Sequence, residues 1–152
     1  MEFAIATPMN PDEVVIKIIT HVDCQSVKKL YRQAGWWDED DQAPDAAARI
    51  DAMVRGSFCF AGAFAGEEMI GMGRAISDGA SDAYIQDVTV LKEFRGQRIG
   101  GRIIRAISKN LVSRGIGWIG LVAEPGTQAF YRRLGFEALE GFFPMRLKKE
   151  RD

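Results

Sequence analysis

Val88-Thr89-Val90-Leu91-Lys92-Glu93-Phe94-Arg95-Gly96-Gln97-Arg98-Ile99-Gly100-Gly101-Arg102 is a β-branched run that passes through a glycine-rich turn into a basic helix. Ile99, Ile103, Ile104, Ile107 and Leu111 recur at helical spacing, which predicts one buried face along that helix. The opposite stripe carries Arg98, Arg102, Arg105 and Lys109. Glycines at the turn let backbone N–H groups approach a ligand closely, and a helix N-terminus favours negative charge by roughly 0.3–2 kcal/mol. The stretch reads as a pyrophosphate cradle on a strand–turn–helix frame.

Spacing separates three kinds of phosphate-binding turn. A dinucleotide fingerprint needs G-x-G-x-x-G, which is absent. A P-loop needs G-x-x-x-x-G-K-[ST]; Gly96 to Ile103 comes close, but Arg102 replaces the lysine and Ile103 the hydroxyl that would hold Mg²⁺. Arg95-Gly96-Gln97-Arg98-Ile99-Gly100 instead resembles the [QR]-x-x-G-x-[GA] signature of the GCN5-related N-acetyltransferases (GNAT), with Arg98 where the family has its first glycine. Downstream, Phe130-Tyr131-Arg132-Arg133-Leu134-Gly135-Phe136 is similar to the family's F-Y-x-x-x-G-F segment. Two motifs in the right order are far harder to obtain by chance than either alone.

The rest of the chain sets bounds around that turn. At 152 residues it has the length of one ordinary domain, with room for a real core. A net charge of −1 without a polybasic block argues against a general nucleic-acid or membrane-surface binder. Cys24 and Cys59 are too few and too far apart for a zinc site or a disulfide framework. The first dozen residues lack the pattern of a signal peptide, and no run of about 18 apolar residues exists, so a cytoplasmic location is expected.

In chain order, Val14 to Ile19 reads as a strand. Asp23 caps a helix whose Val27, Leu30, Tyr31 and Ala34 share a face, and Gly35 stops it. Trp36 and Trp37 then precede an acidic run, Asp38 to Asp41, and a second helix covers Ala46 to Arg55. Three strands follow, Ser57 to Phe64, Met69 to Ala75 and Ala83 to Leu91, before the signature helix. Ile116 to Ala123 is a further strand, Phe130 and Tyr131 sit on a short helix, and Phe136 to Leu139 and Phe143 to Lys148 are expected to close the sheet. The expectation is a single mixed α/β domain, a twisted sheet of six to seven strands with helices on both faces.

The resemblance implies an acetyl-CoA-dependent N-acetyltransferase that uses no metal and acts on an amine acceptor by direct attack in a ternary complex, with a homodimer as one option for its assembly. In that fold the fourth and fifth strands splay apart beside the signature, and acyl-CoA lies in the gap. Val88, Thr89 and Val90 on the strand, with Arg95, Gly96, Gln97, Arg98, Gly100 and Gly101 in the turn, are the matching cofactor positions. Arg98 needs a negative φ or a small strain there, and its side chain either faces the phosphates or solvent.

An alkyl ammonium with a pKa near 10.4 must lose a proton before it attacks, and a general base helps by roughly 10²–10⁴-fold. Asp87, one residue before Val88 and so on the opposite strand face, is the first candidate, and Glu124 the second. The alternative for Asp87 is a surface or capping carboxylate, and for Glu124 the same plain reading is the favoured one. Tyr131 matches the family tyrosine that protonates the leaving thiol; on the residues alone it is also an aromatic core side chain. Trp36, Trp37 and the carboxylates after them suit a cationic amine through cation–π and ionic contacts, or are a loop with its tryptophans packed inward. Phe142 could line the same pocket or cap the core. A bulkier acyl donor, or a non-catalytic acyl-CoA sensor, would keep the same cradle.

Overall fold

Asp23 opens the first helix as its position predicts. Its carboxylate accepts from the Ser26 backbone N–H at 3.0 Å, and Gly35 ends the helix in the left-handed conformation at φ 77°. The computed structural model describes residues 10–37 and 45–148, so the carboxylates Asp38, Glu39, Asp40 and Asp41 lie outside it.

The elements are β1 (Val14–Ile18), α1 (Cys24–Ala34), α2 (Ala46–Gly56), β2 (Cys59–Ala65), β3 (Glu68–Ser77), β4 (Asp82–Val90), α3 (Ile99–Ser113), β5 (Trp118–Leu121) and α4 (Gln128–Arg132). The strands lie side by side in sequence order; β1 to β4 are antiparallel, and β5 runs parallel to β4. That last pairing requires a crossover, which α3 supplies.

The apolar face of α3 is the one the spacing predicts: Ile99, Ile103, Ile104, Ile107 and Leu111 are all buried. Two glycines of β3 let the helix approach. A Cβ added at Gly73 would stand 2.9 Å from Ile103 Cγ2, and one at Gly71 would stand 3.1 Å from Ile103 Cδ1. Strand alternation sends Arg74 to the other face, where Tyr31 of α1 shares its partner Asp87. Helices therefore cover both faces of the sheet, with Phe60, Leu30, Ile50, Ile70, Met72 and Leu91 in the core between them.

The mixed α/β class holds, but the strand count does not. Five strands form among the described residues, and Phe136–Leu139 and Phe143–Lys148 are not among them. Alternating apolar residues give a segment a strand's pattern without giving it a partner. The edge on offer, β5, is only four residues long, and Pro144 has no N–H to bond it.

Candidate active site

The site begins at an irregularity in the sheet. The pairs Met72↔Thr89 and Arg74↔Gln86 bracket one residue of β3, Gly73, but two of β4, Asp87 and Val88. Such a bulge bends its strand and increases the local twist. Asp87 takes φ 54°, a left-handed conformation that costs a non-glycine residue roughly 1–2 kcal/mol. β5 follows β4 only from Asp82↔Trp118 to Ile85↔Leu121. Past Ile85 the two strands part, and no strand among the described residues lies along that side of Gln86–Val90.

A cleft of about 970 Å³ fills the parting. Val88, Thr89, Val90, Arg95, Gly96, Arg98, Gly100 and Gly101 line it from β4, the turn and α3, while Glu124, Thr127 and Tyr131 face it from beyond β5. A smaller cavity of about 240 Å³ lies against Trp36, Tyr84, Asp87, Leu121, Val122 and Glu124. Trp36 and Glu124 belong to both walls.

The turn has the properties of an anion cradle. Gly96 sits at φ 77° with no atom within 4 Å of where a Cβ would stand, and Arg98 takes a glycine's conformation at φ 62°. Arg98 thus adopts the strained alternative and not the negative φ. The helical ladder starts with Arg102 N–H donating to the Arg98 carbonyl, which leaves the N–H groups of Ile99, Gly100 and Gly101 without a helical acceptor. No side chain caps this helix. Arg95 Nε donates to the Val90 carbonyl at 2.9 Å and ties the turn to the end of β4. Arg102, on the basic stripe, is committed elsewhere: its guanidinium donates to the carbonyls of Pro11 and Val14 at 3.1 and 2.6 Å.

Asp87 and Val88 do point to opposite faces. The Val88 side chain packs toward Gly73 and α3, whereas Asp87 Oδ2 accepts from Tyr31 Oη and from Arg74 Nε, both at 2.6 Å. The carboxylate is held as an ion pair in a largely enclosed spot and reaches only the smaller cavity. Burial first, and the Asp87 hydrogen bond second, push the Tyr31 phenol well above its ordinary pKa.

Tyr131 stands edge-on to Phe130 and Phe136, with ring centroids 4.9 and 6.0 Å away. Burial raises its pKa, and the charge of Glu124 raises it further, so the hydroxyl keeps its proton at neutral pH. Glu124 closes a turn in which its carbonyl accepts from Thr127 Oγ1 at 2.7 Å.

Three sequence candidates line neither cavity. Gln97 turns its side chain inward, where Oε1 is buried without a hydrogen-bond partner. Trp37 packs 5.4 Å from the Tyr31 ring and beneath the Arg49 guanidinium at 5.5 Å. Phe142 is 75% exposed. Tyr31 and Arg74 were not anticipated as site residues. A lone arginine within the apolar run Met69–Ala75 is a signal of a buried carboxylate, but only the register says which one.

Comparisons with known proteins agree with this geometry. Residues 23–136 match the acetyltransferase (GNAT) family. A histone acetyltransferase of Glycine max is 32% identical, over 90% of this chain and 63% of its own length. A chloroplastic serotonin N-acetyltransferase of Oryza sativa is 34% identical over 67 residues, 44% of this chain and 34% of its own length. The chain thus spans less than two thirds of either relative. Among solved structures, a GNAT family acetyltransferase of Streptococcus pneumoniae superposes with a TM-score of 0.74 at 25% identity, over 90% of this chain and 99% of its own.

Proposed function

Because the chain belongs to the acetyltransferase (GNAT) family, we propose that it transfers the acetyl group of acetyl-CoA to a small cationic primary amine, by direct attack while both are bound. One observation carries the reading: a long cleft with a helix N-terminus in its wall meets a small aromatic and acidic cavity at Trp36 and Glu124. The cleft suits acetyl-CoA. The N–H groups of Gly100 and Gly101 would hold its pyrophosphate, and the free side of Val88–Val90 would bond its amides as a strand would.

Acetyl-CoA brings an acyl group already activated as a thioester. The chain's own residues have then to manage two protons and one charge. Glu124 faces both cavities and takes the proton of the acceptor ammonium; we place it ahead of Asp87, whose carboxylate is engaged by Tyr31 and Arg74. Tyr131, held protonated, gives its hydroxyl proton to the departing sulfur; the nitrogen's second proton, released as the tetrahedral adduct collapses to the amide, passes through water to the tyrosinate and restores it. The Val88 N–H would stabilise charge on the acyl oxygen. Trp36 and Tyr84 offer ring faces, and Asp87 a fixed negative charge, to a cationic acceptor.

Thiol release from acetyl-CoA across polyamines, arylalkylamines, amino acids, aminoglycosides and short peptides tests the proposal. Release with polyamines or arylalkylamines, confirmed by product mass and reduced at least a hundredfold in Glu124→Gln, is the expected result. Tight acetyl-CoA binding without turnover would favour a non-catalytic sensor. Absence of acetyl-CoA binding would refute the placement of the cradle.

A further inference from the structure

Trp118, the third tryptophan of the chain, lines neither cavity, yet it packs against the wall of one. Its indole folds along β5 over Gly120, where an added Cβ would stand 2.4 Å from the ring, and its centroid lies 5.3 Å from that of Tyr84. The register puts Ile76 of β3, Tyr84 of β4 and Gly120 of β5 side by side. Alternation sends this row to the face that carries Arg74. Ile76, Tyr84 and the Trp118 indole therefore form one apolar strip beside the smaller cavity.

The strip is open to solvent: Ile76 is 43%, Tyr84 47% and Trp118 41% exposed. Single exposed apolar residues need no explanation, but rings set in a row at the mouth of a cavity make a binding surface. Tyr84 belongs to both, so the strip continues the cavity without a break. The charges stand at the other end. Glu124 and Asp87 line the cavity, and Asp87 lies three residues along β4 from Tyr84, a rise of roughly 10 Å. A molecule spanning the two would set a cation at the carboxylates and a flat apolar body on the rings.

On the premise of the acetyl transfer proposed above, we infer that Ile76, Tyr84 and Trp118 form a subsite for the non-reacting end of the acceptor, and that this end is an aryl group on a short alkyl linker. Ring faces serve aryl groups and cations alike, but Ile76 and Val122 at the borders offer a cation nothing. Asp82, opposite Trp118 at the far end, already accepts from the Ser81 hydroxyl. Gly120 is part of the subsite, because only without a Cβ there can the indole lie along β5 and extend the surface of Tyr84.

Kinetics with 3-phenylpropylamine, 1,4-diaminobutane and ethylamine, which is too short to reach the rings, test this in Trp118→Ala and Gly120→Ala. The second variant keeps the indole but displaces it. Each should lower the kcat/KM ratio of 3-phenylpropylamine to ethylamine by about tenfold or more, through KM, and Trp118→Phe should restore most of it. An unchanged ratio in both variants would overturn the inference, as would a wild-type preference for 1,4-diaminobutane over 3-phenylpropylamine. Equal losses with both monoamines would make Trp118 a packing residue and overturn it too. Calorimetry with 3-phenylpropylamine in the presence of CoA separates this from the transfer reaction. Binding that Trp118→Ala weakens, in a protein that acetylates no amine, would keep the subsite and refute the transfer. Ethylamine turnover by a protein that binds 3-phenylpropylamine no better than ethylamine would do the reverse.

Discussion

Tyr31→Phe removes one oxygen atom and leaves everything else in place. The ring keeps its edge-on contact with Trp36 and its tilted contact with Trp37, at 5.2 and 5.4 Å, so packing is preserved. What is lost is the hydroxyl that donates to Asp87 Oδ2 at 2.6 Å. A hydrogen bond to a charged group contributes about 1.5–3 kcal/mol. Arg74 still satisfies the same oxygen, so Asp87 is not orphaned, and a loss of about 1.5 kcal/mol is expected. Arg74→Met should cost more, about 2–3 kcal/mol. It leaves a largely buried carboxylate with one neutral donor, and the figure is set below the 3–5 kcal/mol of a fully buried pair because Asp87 is 24% exposed. Urea denaturation of both variants, at equal m-values, reads these losses. The second consequence is local. Asp87 sits at φ 54° in the bulge, and a weakened clamp lets that strained backbone relax, so acetyl-CoA affinity should fall with stability. A Tyr31→Phe protein within 0.3 kcal/mol of wild type, with unaltered acetyl-CoA Kd, would refute the idea that this network holds the bulge in shape.

The same phenol predicts an alkaline limit. Because folding raises the pKa of Tyr31, its stabilising contribution is complete below the unfolded value of about 10 and is lost as pH climbs above it. Wild type should therefore lose stability above pH 10 more steeply than Tyr31→Phe, and parallel curves would contradict this. Arg98→Gly replaces a side chain held at φ 62° by the residue that prefers such angles, and should stabilise the fold by about 0.5–1 kcal/mol. A Tm rise of a few degrees is the expected reading, and a fall would mean that Arg98 makes a compensating contact. Tyr131→Phe should lower kcat at least tenfold with acetyl-CoA Kd nearly unchanged, and full activity across the pH range would return Tyr131 to a packing role.

Local features of the fold were legible because helices declare themselves over short spans. The Ile99–Leu111 face, the Asp23 cap and the Gly35 stop depend on residues a few positions apart, and all three stand as read. The opposite facing of Asp87 and Val88 followed from strand alternation alone. Register is different, since it joins residues far apart in sequence. Nothing near Asp87 announces that Gly73 will face two residues, or that Tyr31 and Arg74 will converge on one carboxylate oxygen. Adjacent Trp36 and Trp37 are equivalent in composition, yet one lines both cavities and the other covers the Tyr31 ring. The alternation of Phe143, Met145 and Leu147 was visible, but a pattern does not name its partner.

Gly73 touches neither cavity, yet two walls of the site are referred to it. It is the residue opposite the bulge of β4, and its missing methyl lets Ile103 and Ile107 seat α3 against β3. It therefore works as a shared datum, in the way one reference edge aligns two machined faces. A side chain added there would lift the helix and the bulged strand together and change the width of the cleft at both walls. Redesign of the acyl or acceptor range has a lever at this position that leaves every substrate-facing side chain untouched.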